Sequence, residues 1–229
     1  VNVDIQRIEI KIDTCSRNDD DDDHDNRPGC DDDNDSLDRR CEIWDTLDIR
    51  AGVYDLLKLR NGIDTLLGSS FVANGKIKRI KVVLGPNNSV MLDSIVLPLR
   101  FLNNQNFIFV NISRHHLDNI SLNNLKLFLD FDLFHSIKFK DGQIWIRPVI
   151  KPFGNNSSGR IEGEVKPSGS FGTIYAFSGA DTTYARPDDD DGDFKIRGLK
   201  EGKYSLFIDG INGYMDSTIN NIEVRRGKE

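Results

Sequence analysis

The most chemically distinctive part of this sequence is a run of aspartates near its N-terminus. Residues 19–38 contain eleven aspartates and one arginine, so this segment carries −10, whereas the whole chain of 229 residues carries −7. The remainder is therefore slightly basic. Carboxylates at this density repel one another and cannot form a hydrophobic core. Their oxygen atoms are, however, the ligands that Ca²⁺ prefers.

Part of this acidic run has the spacing of a calcium-binding loop. Asp31, Asp33 and Asp35 alternate, and Glu42 follows eleven positions after Asp31. These are positions 1, 3, 5 and 12 of an EF-hand-type loop. Ser36 stands where that loop carries glycine, and no helix signal flanks the segment. The pattern therefore argues against an EF-hand.

The stretch from Asp31 to Cys41 resembles the Asp-rich, Cys-bounded calcium repeat of the thrombospondin type-three kind, in one degenerate copy. We weigh a specific Ca²⁺ site equally against a solvated acidic loop. If the site exists, four carboxylates are expected to carry it: Asp31, Asp33, Asp35 and Asp38.

All three cysteines, Cys15, Cys30 and Cys41, lie in or beside this acidic insert at 15–41. Clustering in the segment least able to fold favours a disulfide and an oxidising compartment over three free thiols. Cys15 and Cys41 close the base of the insert, where the flanking strands could pair as a hairpin. We predict that a bridge joins these two and leaves Cys30 free.

A second carboxylate pair, Asp130 and Asp132, lies two positions apart on a predicted strand and thus on one face. Paired carboxylates can hydrolyse glycosides. The alternating Leu129 and Phe131 form the opposite, core-facing row, so we expect the carboxylates to face solvent or to pair with Lys or Arg on a neighbouring strand. A catalytic pair is the alternative, and the sequence predicts no enzyme. The acidic stretch 188–193 is interpreted as a turn around Gly192.

Period-two alternation bounded by Gly and Asn dominates the chain and predicts strands, with no long amphipathic helix. The fold class is therefore all-β, with two tandem β-sandwiches covering 1–152 and 160–229. The polar segment 153–159 is the expected linker. Trp44 and Trp145 lie in strand patterns and are expected in the core, although an exposed tryptophan would favour glycan binding. No apolar stretch approaches the roughly 20 residues of a membrane span.

The second half resembles the carboxypeptidase regulatory-like family, a transthyretin-like β-sandwich. The resemblance is carried by Gly159–Val165, Thr173–Phe177, Asp191–Leu199 and Glu201–Leu206. It implies an accessory module of an extracytoplasmic protein. Such modules are grouped with carbohydrate-binding-like sandwiches, which is an analogy of fold.

The first half resembles a bacterial family of domains of unknown function, number 4382. The residues concerned are Gly52–Gly62, Leu66–Gly68, Gly75–Leu84, Leu129–Asp132 and Arg147–Lys151. Members often belong to envelope lipoproteins and precede a module like the second half. The insert at 15–41 departs from the pattern.

Together these features predict a non-enzymatic surface protein of the bacterial cell envelope, secreted or anchored by a lipid upstream of residue 1. The expected role is binding or structural, with Ca²⁺ as the only expected cofactor. A glycan or an envelope protein is the expected partner, and a carbohydrate-binding module is the alternative. Nucleic acid is not expected, because no basic face with interleaved aromatics is evident in the sequence.

Overall fold

The computed structural model describes residues 1–14, 42–69, 76–112, 126–154 and 157–227. Within these ranges the chain is all-β, as predicted. Its helical segments there are single turns, at Leu56–Lys58, Leu102–Asn104 and Leu133–Ser136. We refer to residues 1–154 as the first half and residues 157–227 as the second half.

The first half is built on one long strand, β1 (Asn2–Asp13), whose alternating isoleucines face the core. A seven-stranded antiparallel sheet forms around it, in the order β10-β6-β1-β7-β8, with two further strands, β2 and β4, also paired to β1. These strands are β2 (Glu42–Thr46), β4 (Gly52–Asp55), β6 (Lys76–Leu84), β7 (Ser89–Leu92), β8 (Ile95–Pro98) and β10 (Phe107–Asn111).

Two smaller sheets cover the buried face of this large sheet. One pairs β11 with β14, and the other has the order β12-β13-β9. Ile10, Val82, Val110 and Ile146 are buried between the layers, and Leu127 packs against them. The strands are β9 (Arg100–Phe101), β11 (Leu127–Phe131), β12 (Ile137–Lys140), β13 (Gln143–Ile146) and β14 (Ile150–Gly154); a separate short pair is β3 (Asp48–Ile49) with β5 (Gly68–Ser69).

The second half has its own buried cluster between two sheets. A four-stranded sheet in the order β17-β16-β19-β20 faces the pair β15-β18. Ile174, Ile196, Leu206 and Val224 are among the residues buried there. The strands are β15 (Gly159–Glu164), β16 (Phe171–Ser178), β17 (Asp181–Ala185), β18 (Asp193–Leu199), β19 (Gly202–Gly210) and β20 (Ser217–Val224).

The connection between the halves is shorter than the linker predicted at 153–159. Strand β14 continues to Gly154, and the ring of Phe153 is buried and stacked on Phe128 at 5.0 Å between centroids. Strand β15 already begins at Gly159. Composition alone does not predict that Phe153 and Gly154 belong to a strand, because a glycine next to polar residues is also typical of a linker. That 160–229 folds by itself stays a prediction.

The base of the acidic insert is a strand pair, as predicted. Strands β1 and β2 are antiparallel, with Asp13 opposite Glu42 and Lys11 opposite Trp44. Lys11 also forms an ion pair with Glu42. The insert at 15–41 lies outside the described residues, and with it the predicted cysteine pairing and the predicted calcium ligands Asp31, Asp33, Asp35 and Asp38.

The sequence pattern predicts a strand over 53–60 followed by one helical turn at Ile63–Leu67, and the structure differs from both predictions. The strand expected over 53–60 ends at Asp55, whose carboxylate accepts a hydrogen bond from the Leu57 amide at 3.2 Å and starts the turn Leu56–Lys58. The predicted turn at Ile63–Leu67 is wrong, since those residues are irregular. The sequence signal that indicates the observed turn is the acidic N-cap residue Asp55.

Candidate functional site

The carboxylate pair Asp130 and Asp132 lies where the two halves of the chain meet. Asp130 is in β11, whereas Asp132 follows the strand and caps the helical turn Leu133–Ser136. The alternation predicts that both lie on one strand. This is wrong, because the strand ends at Phe131. Together with Phe131 they line a small pocket whose other wall is Thr183 and Tyr184 of the second half.

Asp132 is the most heavily hydrogen-bonded carboxylate in this pocket. Its Oδ2 lies 2.9 Å from Lys151 Nζ and 2.8 Å from His135 Nδ1. Its Oδ1 accepts from the His135 amide at 3.2 Å and from the Tyr184 hydroxyl at 3.1 Å. The side chain is 3% exposed. Of the two environments that the sequence predicts, pairing with a lysine on the neighbouring strand is the one that the structure shows for Asp132.

The pKa values of the two neighbouring carboxyls are shifted in opposite directions. Burial by itself raises the pKa of Asp132, but hydrogen bonds from Lys151 and His135 outweigh it and hold the pKa at about 2. The pKa of Asp130 is raised, because protein atoms crowd its carboxyl although the residue as a whole is exposed to solvent. Lys151 opposes this rise and the charge of Asp132 adds to it. Asp132 is therefore ionised at neutral pH, and a proton is held more readily on Asp130.

Tyr184 connects this carboxylate to the second half of the chain. Its hydroxyl accepts a hydrogen bond from the Phe134 amide at 2.8 Å while it donates to Asp132. The Phe134 ring stands edge-on to the tyrosine ring at 5.9 Å. Burial raises the pKa of Tyr184, and the nearby Asp132 charge adds to the effect. The phenol therefore remains a hydrogen-bond donor over the whole ordinary pH range.

The turn that carries Asp132 is itself fixed by a buried serine. Ser136 Oγ donates to the Asp132 carbonyl at 2.5 Å and accepts from the Val149 amide at 2.8 Å. Both hydrogen bonds are inside the first half, so they position the carboxylate independently of Tyr184.

The pocket is too small for a sugar. It encloses about 60 Å³, whereas sites for small organic ligands enclose roughly 300–1,000 Å³. With donors on both of its oxygens, Asp132 also has little capacity left to act as a nucleophile or base toward a substrate. The arrangement connects the two halves of the chain, and we call it the joint.

A second contact between the halves is an aromatic stack capped by arginine. The Arg197 guanidinium lies 5.0 Å from the Phe128 ring centroid and 5.7 Å from that of Phe153. Its Nη1 is 3.2 Å from the Asp64 carboxylate. The close packing of Phe153 on Gly198 leaves only 3.0 Å for a β-carbon there.

The acidic stretch 188–193 makes a third contact. Arg60 of the first half lies 3.7 Å from Asp188 and 3.8 Å from Asp189. The side chains of Asp188 and Asp191 each accept an amide two residues ahead, so the turn interpretation is confirmed. This turn does not close a β-hairpin, because it joins β17 and β18, which belong to different sheets.

The predicted metal ligands are not brought to this junction, since they lie outside the described residues. In the described part of the chain no group of three or more His, Cys, Asp or Glu side chains is placed to hold a metal ion. The residues that sequence reasoning missed are Tyr184 and His135. A usable local signal was Asp132 three positions before His135, an N-cap pattern; the contact with Tyr184 spans 52 positions and has no local signal.

The tryptophans are not in the core, contrary to the sequence prediction. Trp44 is 45% exposed, and its ring lies 6.1 Å from that of Phe109, which is also exposed. Trp145 is half-buried and donates from Nε1 to the Lys140 carbonyl at 3.4 Å. The reason is register: Trp44 pairs with Lys11, which points away from the buried isoleucines.

Comparison with known proteins supports the resemblance of the first half. A family model described as Domain of unknown function (DUF4382) matches residues 1–148. No curated protein and no solved structure is significantly similar to the chain. The resemblance of the second half to the carboxypeptidase regulatory-like family stays a prediction. Among the described residues, no helix has the length and apolar character needed to cross a membrane.

Proposed function

We propose, from the premise that the chain belongs to the family described as Domain of unknown function (DUF4382), that it is a non-enzymatic module of a bacterial envelope surface protein. In this proposal the two halves act as one scaffold that presents a binding surface and the acidic insert. The observation that supports it best is that both carboxylate oxygens of Asp132 are hydrogen-bonded within the chain. The carboxylate that a glycosidase would need is instead committed to Lys151, His135 and Tyr184.

Charge and geometry explain why this arrangement suits a scaffold. A buried, ionised carboxylate costs several kcal/mol unless donors surround it. The first half supplies Lys151 and His135, and the second half supplies Tyr184. Separating the halves removes one donor from a desolvated charge, so the joint resists opening.

The envelope address and the metal are further parts of the proposal. The resemblance of the second half to extracytoplasmic modules and the clustered cysteines support an oxidising location. For the insert, we propose that Ca²⁺ bound by Asp31, Asp33, Asp35 and Asp38 orders residues that repel one another without a cation. The strand pair of β1 and β2 fixes both ends of that insert.

Cell fractionation tests the location and the lack of enzymatic activity together. The complete natural protein, tagged at its C-terminus and produced in its own host, should be found in the envelope or medium fraction. The purified chain should release no reducing sugar from a panel of glycans, and Asp130→Asn should change nothing. A cytosolic protein would contradict the location. Hydrolysis that is abolished by Asp130→Asn would contradict the non-enzymatic proposal.

A second candidate function is carbohydrate binding at the envelope. It is favoured by the exposure of Trp44 next to Phe109 on the outer face of the large sheet. Aromatic rings that are open to solvent on one side can stack on the apolar face of a sugar. Isolated exposed apolar residues are ordinary, but contiguous rings are a typical feature of interaction sites.

A further inference from the structure

The outer face of the seven-stranded sheet carries a continuous strip of aromatic rings. Trp44 and Phe109 are 45% and 44% exposed, and their ring centroids are 6.1 Å apart. Phe107 continues the strip, edge-on to Phe109 at 5.4 Å. The solvated face of an antiparallel sheet is normally polar. Three touching rings there are therefore a feature to be explained.

Strand register places two cations in the same strip. Lys11 of β1 is opposite both Trp44 of β2 and Arg79 of β6, and Lys81 of β6 is opposite Phe109 of β10. Directly paired residues of antiparallel strands point to the same side of the sheet. We call Trp44, Arg79, Lys81, Phe107 and Phe109 the aromatic–cationic face. The alternate residues of the same strands are buried in the core.

The two cations lie against the rings of this face. The Arg79 guanidinium is 5.3 Å from the Phe109 centroid, and its Nε donates to Asn111 at 2.8 Å. Lys81 Nζ is 5.4 Å from the Phe107 centroid and 2.9 Å from Glu9. Within the described ranges, Arg79 forms no ion pair with a carboxylate. Its terminal amino groups thus have capacity for an anion.

The local charge is opposite in sign to that of the molecule. On this side of the sheet, five cations (Arg7, Lys11, Lys78, Arg79 and Lys81) stand against three carboxylates (Glu9, Asp13 and Glu42), whereas the whole chain carries −7. A positive, ring-bearing surface on an acidic protein matches a ligand that combines apolar faces with negative charge.

We infer that the aromatic–cationic face binds an acidic polysaccharide, one that carries carboxylates on its sugar rings. The inference rests on the second proposed function, carbohydrate binding, and names its site and ligand class. Sugar C–H faces would stack on Trp44 and Phe109, while a uronate carboxylate would pair with Arg79, whose planar guanidinium can donate to both carboxylate oxygens. Both kinds of contact are needed, since rings alone do not distinguish a charged sugar from a neutral one, and cations alone do not distinguish an acidic sugar from another anion.

Charge density favours a polysaccharide over nucleic acid on this face. Duplex DNA presents about one charge per 1.7 Å of axis, which suits a dense array of cations. Here Glu9 and Glu42 lie among the cations, so the cations do not form the unbroken array that such a charge density would need. A uronate polymer carries no more than one carboxylate per sugar ring, and its rings offer the apolar faces that the aromatic strip can use.

Binding of the intact chain to matched polymers tests the inference. The probes are polygalacturonate, the same polymer with its carboxyls methyl-esterified, neutral glucans, and single-stranded oligothymidylate, compared by isothermal calorimetry at two salt concentrations. We expect the free acid to bind at least about tenfold more tightly than its ester, a difference typical of one desolvated charge contact. Raising the salt should weaken only the free acid.

Matched variants locate the binding. Trp44→Ala with Phe109→Ala should weaken polygalacturonate binding about tenfold or more, as for paired hot-spot residues. Phe139→Ala removes another ring, 74% exposed on β12, and should have no effect. Arg79→Gln should reduce the preference for the free acid over its ester, whereas Arg225→Gln in the second half should not.

Each failure has a distinct meaning. Equal binding of the acid and its ester would overturn the inference and leave carbohydrate binding standing. No binding of any glycan would overturn both. Tighter binding of oligothymidylate, an effect of Phe139→Ala equal to that of the double variant, or a change of oligomeric state on Trp44→Ala would each show a different occupant and contradict the inference.

Discussion

Replacing Asp132 by asparagine is expected to lower the free energy of unfolding by about 2 kcal/mol at pH 7. The folded-state pKa of Asp132 is lowered from 3.8 to about 2, and one pKa unit corresponds to about 1.4 kcal/mol. The side chain is 3% exposed, so solvent screening removes little of this. Asparagine keeps the shape of the side chain but loses the charge that Lys151 and His135 stabilise.

The pH dependence identifies the cause. Because the folded-state pKa lies below the unfolded value, the stabilisation is complete above about pH 4 and is lost as the pH falls toward 2. The difference between the natural chain and Asp132→Asn should therefore shrink over that interval. Urea unfolding followed by far-ultraviolet circular dichroism at pH 7, 5, 3 and 2 measures it.

Asp130→Asn is the matched control for this experiment. Asp130 is two positions away in the same pocket, but its pKa is raised, chiefly by burial. Its charge thus opposes folding at neutral pH, and neutralising it should leave stability unchanged or increase it. A loss of equal size in both variants, or a loss in Asp132→Asn that is constant from pH 7 to pH 2, would refute the reasoning.

Three further predictions concern the joint, a strained turn and the insert. Tyr184→Phe should cost about 1–3 kcal/mol in a urea titration, because the hydroxyl bonds a buried charge; Tyr214→Phe, at an exposed tyrosine, should cost nothing, and equal costs would contradict the role of Tyr184. Gly192→Ala should lower the melting temperature more than Gly179→Ala does. Both glycines have positive φ, a backbone conformation that costs alanine about 1–2 kcal/mol. Only at Gly192 would the new β-carbon also lie 2.1 Å from the Val165 carbonyl oxygen. Ca²⁺ should raise the melting temperature more than Mg²⁺ does, and equal responses, unchanged by substitution, would contradict a specific site at Asp31, Asp33, Asp35 and Asp38.

Strands could be predicted from the sequence because their signal is local. In β6 (Lys76–Leu84), the alternation of Ile80, Val82 and Leu84 and the turn residues on either side are enough to predict both ends of the strand. The same alternation predicts six strands in the second half, for example one at Lys203–Ile208, where the structure has Gly202–Gly210. Period-two burial is imposed by the strand itself and needs no knowledge of its neighbours.

The candidate site could not be predicted in the same way, because its geometry is non-local. Alternation placed Asp132 in a solvent-facing row with Asp130, but the chain leaves the strand at Asp132 and Tyr184 covers it from the other half. The prediction that Trp44 lies in the core is wrong for a related reason. Its outward orientation is set by pairing with Lys11 across the insert, and a sequence pattern within one strand does not reveal which face a partner will bury.

The central claim, that the two halves form one scaffold joined through Asp132, is tested most directly by ¹⁵N relaxation of the intact chain. We expect amides in β6 of the first half and in β19 of the second half to report one common rotational correlation time. In Asp132→Asn combined with Tyr184→Phe, the second half should tumble faster than the first. Two separate correlation times in the natural chain would contradict the account.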